Sequence, residues 1–222
     1  MSRMTKLTAL VIGGTGLVGA QLLAQLIDDD RFAKVISFAR RKTGKTSSKL
    51  DEQIVDFDKP ESWSSLVTGD IAFSSLGTTV SQAGSKEAQK KVDYDYQFEF
   101  AKSAAKNGVK TYALVSSAGA DPKSSMFYSR IKGELDRDVQ RLGFERVRIF
   151  RPSLLVGDRE KSRAGEKIGS VLLGAVNAIG IARKYREISG DVVARAMINA
   201  ALDPEKGARI FTLDEVFAEA EK

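Results

Sequence analysis

Leu7-Thr8-Ala9-Leu10-Val11-Ile12-Gly13-Gly14-Thr15-Gly16-Leu17-Val18-Gly19 is the stretch that decides how this chain folds. A mostly apolar strand-like run feeds directly into glycines at 13, 16 and 19. A helical pattern follows from about Leu17 to Ile27, with Leu22, Leu23 and Leu26 on one face. Gly13 permits a tight turn, Gly16 lets the backbone approach a pyrophosphate, and Gly19 lets helix and strand pack closely. The phosphates would lie against Thr15, Leu17 and Val18, where the free N–H groups and dipole of a helix N-terminus favour negative charge. Glycines kept for packing alone would give the same residues without a ligand. The strand–turn–helix register favours a bound dinucleotide.

Outward from this stretch, strand-like runs alternate with helical ones. Strands are expected at Val35–Ala39, Gln53–Val55, Ile71–Ser75, Lys110–Ser116, Arg146–Phe150 and Arg209–Phe211. Helices are expected at about Ser85–Asn107, closed by Gly108, and at Phe127–Leu142, closed by Gly143. Later helices are expected at Glu166–Ile179, Gly190–Leu202 and from Leu213, where Thr212 and Glu215 have capping-box spacing. Continuous apolar strands separated by helices imply an α/β, Rossmann-type, doubly wound parallel sheet with helices on both faces. We expect one domain over residues 1–222, with about 152–222 forming a small C-terminal substrate lid.

Composition narrows the chemistry. The 222 residues contain no cysteine and no histidine. Disulfides, thiolate metal sites, cysteine nucleophiles and Ser-His-Asp triads are therefore excluded. Catalysis must use Tyr, Lys, Ser, Asp or Glu, or a borrowed cofactor. The net charge of +6 is dispersed, with one cluster at Arg40, Arg41, Lys42 and Lys45, so nucleic-acid binding is not expected. No stretch is apolar and long enough to span a bilayer. The N-terminus lacks a signal-peptide pattern, which makes cytoplasmic residence the default expectation.

The second strand's end separates NADP(H) from NAD(H). An NAD-selective site places an acidic residue there for the ribose hydroxyls, yet nothing acidic lies between Arg31 and Leu50. Arg40 and Arg41 stand there instead, where guanidinium groups can grip a 2′-phosphate. The same pair could simply be exposed arginines after a strand. NADP(H) is the expected cofactor.

Tyr128-Ser129-Arg130-Ile131-Lys132 places a tyrosine and a lysine at i and i+4 on a helix, so ammonium and phenol share a face. The positive charge favours the phenolate that a general acid or base requires. Lys132 could also hydrogen-bond the nicotinamide ribose. Ser116 and Ser117 end the preceding strand.

These motifs, with the Gly-x-x-Gly-x-x-Gly spacing, resemble the short-chain dehydrogenase/reductase superfamily. Ser75-Leu76-Gly77-Thr78-Thr79, Val92-Asp93, Ser116-Ser117-Ala118-Gly119-Ala120-Asp121, Phe150-Arg151-Pro152 and Asp158-Arg159-Glu160 resemble its atypical group that includes the human Tat-interacting oxidoreductase-like protein. The likeness runs from about Leu7 to Glu166. It implies that one serine, Ser117 in preference to Ser116, binds a substrate carbonyl that Tyr128 protonates as hydride arrives. It places Asp56 and Phe57 at the adenine edge, where a surface turn is nearly as good an explanation. It sets Leu76, Gly77 and Thr78 along the cofactor, and Leu155 and Arg163 in a loop over the reactive end, with core packing as the alternative for Leu76 and Leu155. Two departures stand out. Ser-Leu-Gly-Thr-Thr replaces the familiar Asn-Asn-Ala-Gly, and Asp93 replaces an asparagine common in extended members. The resemblance implies hydride transfer to or from a small carbonyl or alcohol substrate, with the helices at Ser85–Asn107 and Phe127–Leu142 as homodimer faces. The alternative is a non-catalytic NADP(H)-sensing protein that binds a partner.

Overall fold

The computed structural model describes residues 6–156 and 186–222. Seven strands form one sheet: β1 (Leu7–Ile12), β2 (Phe32–Ala39), β3 (Leu50–Ile54), β4 (Ile71–Ser74), β5 (Thr111–Val115), β6 (Arg146–Arg151) and β9 (Gly207–Thr212). Their order is β3-β2-β1-β4-β5-β6-β9, and every neighbouring pair is parallel. A two-stranded ribbon pairs β7 (Leu155–Val156) with β8 (Ile188–Ser189).

Apolar residues on both faces of the strands explain the layers. Ala9 and Val11 of β1 and Ala113 and Val115 of β5 enter one core. Leu10, Ile12, Tyr112 and Leu114 enter the other. The first core is closed by α1 (Leu17–Asp28), α6 (Gly190–Leu202) and α7 (Asp214–Ala220). The second is closed by α4 (Tyr96–Lys106), α5 (Phe127–Val139) and two 3₁₀ turns that flank the buried Trp63. A strand buried on both faces cannot alternate apolar with polar, which is why the runs read as continuous.

The bounds of β1 and of the helix Gly190–Leu202 match expectation. The expected helix at Ser85–Asn107 is more complex. A short α2 (Val80–Ala83) precedes α3 (Lys86–Lys90), a π-helical turn over Lys91–Asp95 follows, and α4 completes the run. The Tyr96 N–H donates to the Lys91 carbonyl, the i→i−5 bond that defines a π turn. Residues 190–220 supply α6, β9 and α7, which complete the sheet and its first core. The expected helix Glu166–Ile179 lies outside the described residues.

The chain runs from β1 outward to β3, then crosses back to β4 on β1's other side. The crevice at the carboxyl ends of β1 and β4 is therefore the topological switch point, where open α/β sheets bind ligands. The Ser75 N–H donates to the Ile12 carbonyl at 3.0 Å, which draws the loops after both strands together.

Candidate active site

At the switch point the chain folds back on itself within van der Waals limits. Gly13 has φ +88°, and a Cβ there would lie 2.5 Å from the Leu76 amide nitrogen. A Cβ on Gly19 would lie 2.1 Å from the Gly13 carbonyl oxygen. The helix thus presses on the turn itself, and neither position can carry a side chain. Gly16 is the N-cap of α1 and offers no side-chain cap; the first turn of this helix holds no acidic residue. The helical ladder opens with the Ala20 N–H donating to Gly16 at 2.9 Å, leaving the N–H groups of Leu17, Val18 and Gly19 without intrahelical acceptors. Thr15 is exposed beside them, and Val18 is buried. At α6, by contrast, Ser189 accepts from the Val192 N–H and Asp191 occupies the first turn. Of these two helix ends, that of α1 is the one open to an external anion.

Arg40 and Arg41 are exposed just past β2, and neither has an ion-pair partner among the described residues. Asp56 is exposed and 3.7 Å from Lys59. Phe57 is buried, its ring packed on Trp63 and Tyr96. Leu76 and Thr78 are half-buried and Gly77 is exposed. Leu155 sits in β7, half-buried against the first core. Arg163 lies outside the described residues.

On α5, Tyr128 is 37% exposed while Lys132 is 3% exposed. The Lys132 ammonium donates to the Val115 carbonyl at 3.3 Å and lies 3.6 Å from Asp93 Oδ1. Burial works to lower the Lys132 pKa, but Asp93 and, behind it, Tyr128 and Asp136 outweigh burial and hold it above the ordinary lysine value. Burial pushes the Asp93 carboxyl up, against the opposing pull of Lys132 and the Thr78 N–H. Asp93 lies in the π turn.

The two serines separate clearly. Ser117 is half-buried and its hydroxyl donates to the Ala118 carbonyl at 3.3 Å. Ser116 is 5% exposed and its hydroxyl faces the Asp136 carboxyl. Neither Ser116 Oγ nor Asp136 Oδ1 completes a hydrogen bond. Asp136 Oδ2 accepts from Arg151 Nε at 2.9 Å. Sequence reasoning missed Asp136, although it stands four residues past Lys132 and eight past Tyr128, on the same helical stripe.

Residues 8–94, which span the glycine turn and the β4 loop, match the family model described as "Semialdehyde dehydrogenase, NAD binding domain". The mitochondrial protein fmp52 of Emericella nidulans is 37% identical over 206 residues, covering 89% of this chain and 88% of the relative. Rattus norvegicus HTATIP2 is 33% identical over 212 residues, covering 92% and 85% respectively. The chain belongs to the Fmp52/HTATIP2 family, an atypical branch of the short-chain dehydrogenase/reductases. Solved structures agree on the fold. The UDP-glucose 4-epimerase of Thermotoga maritima superposes with a TM-score of 0.68 at 14% identity, over 96% of this chain and 81% of that one. WbmG of Bordetella bronchiseptica, solved with NAD, gives 0.64 at 14% identity, over 98% and 78%. Fmp52 relatives also overturn the cytoplasmic expectation. Those of Emericella nidulans and Candida glabrata are named as mitochondrial proteins, and the absence of a signal-peptide pattern carries no information on that route. No helix among the described residues is long and apolar enough to cross a membrane.

Proposed function

We propose that this Fmp52/HTATIP2 family member is a mitochondrial NADP(H)-dependent oxidoreductase acting on a small carbonyl or alcohol. The observation that carries this reading is the placement of Tyr128 and Lys132 after β5, with the lysine buried and its charge balanced by Asp93. A lysine that served only solubility would not be 3% exposed.

The free N–H groups of Leu17, Val18 and Gly19 and the unpaired Arg40 and Arg41 fit a dinucleotide carrying a 2′-phosphate. Asp56, Leu76, Gly77, Thr78 and Leu155 would line the remainder. When bound, the nicotinamide supplies the hydride transfer. The chain's own residues supply orientation and the proton. Tyr128, 37% exposed, would give or take the proton at the substrate oxygen. Lys132 places a permanent charge beside that phenol. Ser117, free to turn its hydroxyl from Ala118, orients the substrate oxygen, while Ser116 is buried beside Asp136.

Consumption of NADPH against a panel of aliphatic and aromatic aldehydes and ketones tests the reading. Tyr128→Phe should lower kcat at least about a hundredfold, with NADPH affinity changed less than about threefold. Turnover that survives Tyr128→Phe undiminished would remove Tyr128 from the mechanism. Tight NADPH binding with no turnover on any substrate would favour a cofactor-sensing role.

A further inference from the structure

We propose that Asp93 is the positioning residue of this site, its buried carboxylate fixing the Lys132 ammonium and the loop after β4 in one geometry. The inference rests on the oxidoreductase reading for its consequence, but its physical basis is independent of turnover. Asp93 is 1% exposed and its Oδ1 lies 3.6 Å from Lys132 Nζ. Its Oδ2 accepts the Thr78 N–H at 3.1 Å. A Cβ on Gly77 would come within 3.3 Å of Oδ1, so the loop lies directly on the carboxylate. Gln89, also buried, donates its amide to the Thr78 carbonyl at 3.2 Å. One carboxylate therefore touches both the lysine and the loop that approaches the glycine turn.

The π turn is the second line of argument. Such turns cost hydrogen-bond geometry and concentrate where a side chain must be re-aimed. Here the disturbed ladder is repaired by Gln97, whose amide donates to the Asp93 carbonyl at 2.8 Å. Gln97 Oε1 accepts from Ser74 Oγ of β4 at 2.7 Å. Asp93 is thereby tied to the sheet through its backbone and to the site through its carboxylate.

Charge balance is the third. Lys132 is faced by Asp93 from the π turn, by Tyr128 and Asp136 from its own helix, and by the neutral Val115 carbonyl from β5. Asp136 is already paired with Arg151 of β6. Asp93 is the counter-charge left for Lys132. An asparagine could keep the Thr78 contact but would leave a buried ammonium uncompensated, and burial would then draw the lysine toward its neutral form.

The test follows Lys132 directly, by NMR of the ligand-free protein carrying labelled lysine side chains, with the Lys132 signal assigned by its loss in Lys132→Met. Wild-type Lys132 should stay charged past the ordinary lysine value of about 10.4. Asp93→Asn should lower its titration by about one pH unit or more, and Asp93→Glu should restore it. NADPH titration supplies a second readout. Asp93→Asn should lose NADPH affinity as pH rises through its lowered Lys132 titration, whereas the wild type should hold its affinity over the same range. An unmoved Lys132 titration in Asp93→Asn, or a loss of NADPH affinity equal at all pH values, overturns the proposal. Should Asp93→Asn not fold, a wild-type Lys132 that titrates below the ordinary value overturns it as well. Because the NMR measurement needs neither cofactor nor substrate, a chain that meets it yet never oxidises NADPH fails the oxidoreductase reading alone.

Discussion

Arg148 shows how one residue can hold a whole junction. It is 2% exposed on β6, and its guanidinium donates to the carbonyls of Ala200 at 3.0 Å, Val147 at 3.2 Å and Gly207 at 2.9 Å. It also donates to the Glu205 carbonyl. Burial pulls its pKa below the ordinary arginine value, and no carboxylate pairs with it among the described residues. What compensates the charge is a ring of carbonyl dipoles, one of them in the last turn of α6, where the helix dipole favours a cation. Arg148→Met should therefore destabilise the fold by about 3–5 kcal/mol, because several buried acceptors lose their donor at once. Urea denaturation would measure it, and a loss under about 1 kcal/mol would mean that water replaces the guanidinium. Nothing in the sequence flags Arg148, since all its partners but the adjacent Val147 are backbone atoms from residues 200–207 that only the tertiary fold brings near. Tyr128 and Lys132 were legible because their pairing is local, four residues apart on one helix. The contacts of Asp93 with Lys132 and of Asp136 with Ser116 cross between elements and were not.

At the scale of elements, the proposed function makes the β1–α1 turn and the end of β2 a unit that would hold a dinucleotide at two points. On the proposed NADP(H) reading, the turn's N–H groups would serve any pyrophosphate, whereas Arg40 and Arg41 would serve a 2′-phosphate only. The double change Arg40→Ser with Arg41→Ser should weaken NADPH about ten- to a hundredfold and leave NADH within about threefold, as read by fluorescence titration. Equal losses for both cofactors would place the arginines outside the 2′-phosphate contact. The elements carrying this unit were legible in sequence, because a buried parallel strand and an amphipathic helix leave opposite periodicities. The π turn was not, since one extra residue in a helix disturbs the 3.6-residue pattern too little to register. The start of α7 was legible only by half. Glu215 accepts from both the N–H and the hydroxyl of Thr212 at 2.8 Å. Yet Leu213, with φ +48°, is the N-cap, so the reciprocal bond of a capping box is missing.

For the molecule as a whole, residues 190–220 close the fold. Val193 and Met197 of α6, Phe211 of β9 and Val216 of α7 are buried in the first core, against Leu22, Leu23 and Leu26 of α1. Each such side chain contributes about 1.5–3 kcal/mol on burial, so these four alone stabilise by roughly 6–12 kcal/mol. That matches the entire net stability of an ordinary domain, about 5–15 kcal/mol. The coupling reaches the candidate site, because a Cβ on Gly190 would lie 2.6 Å from the carbonyl oxygen of Leu17. The first residue of α6 thus rests on the first turn of α1, whose leading N–H groups lack intrahelical acceptors, and Gln25 of α1 donates to Asp191 at 2.8 Å. A chain ended after Arg186 should accordingly fail to fold, with loss of the near-ultraviolet circular dichroism signal and of NADPH binding together. A detachable lid would behave otherwise: the truncated chain would keep a cooperative thermal transition and cofactor affinity, and lose turnover alone. The burial of α6 against α1 argues that cofactor binding and C-terminal folding are one equilibrium, so saturating NADPH should raise the midpoint of the whole transition.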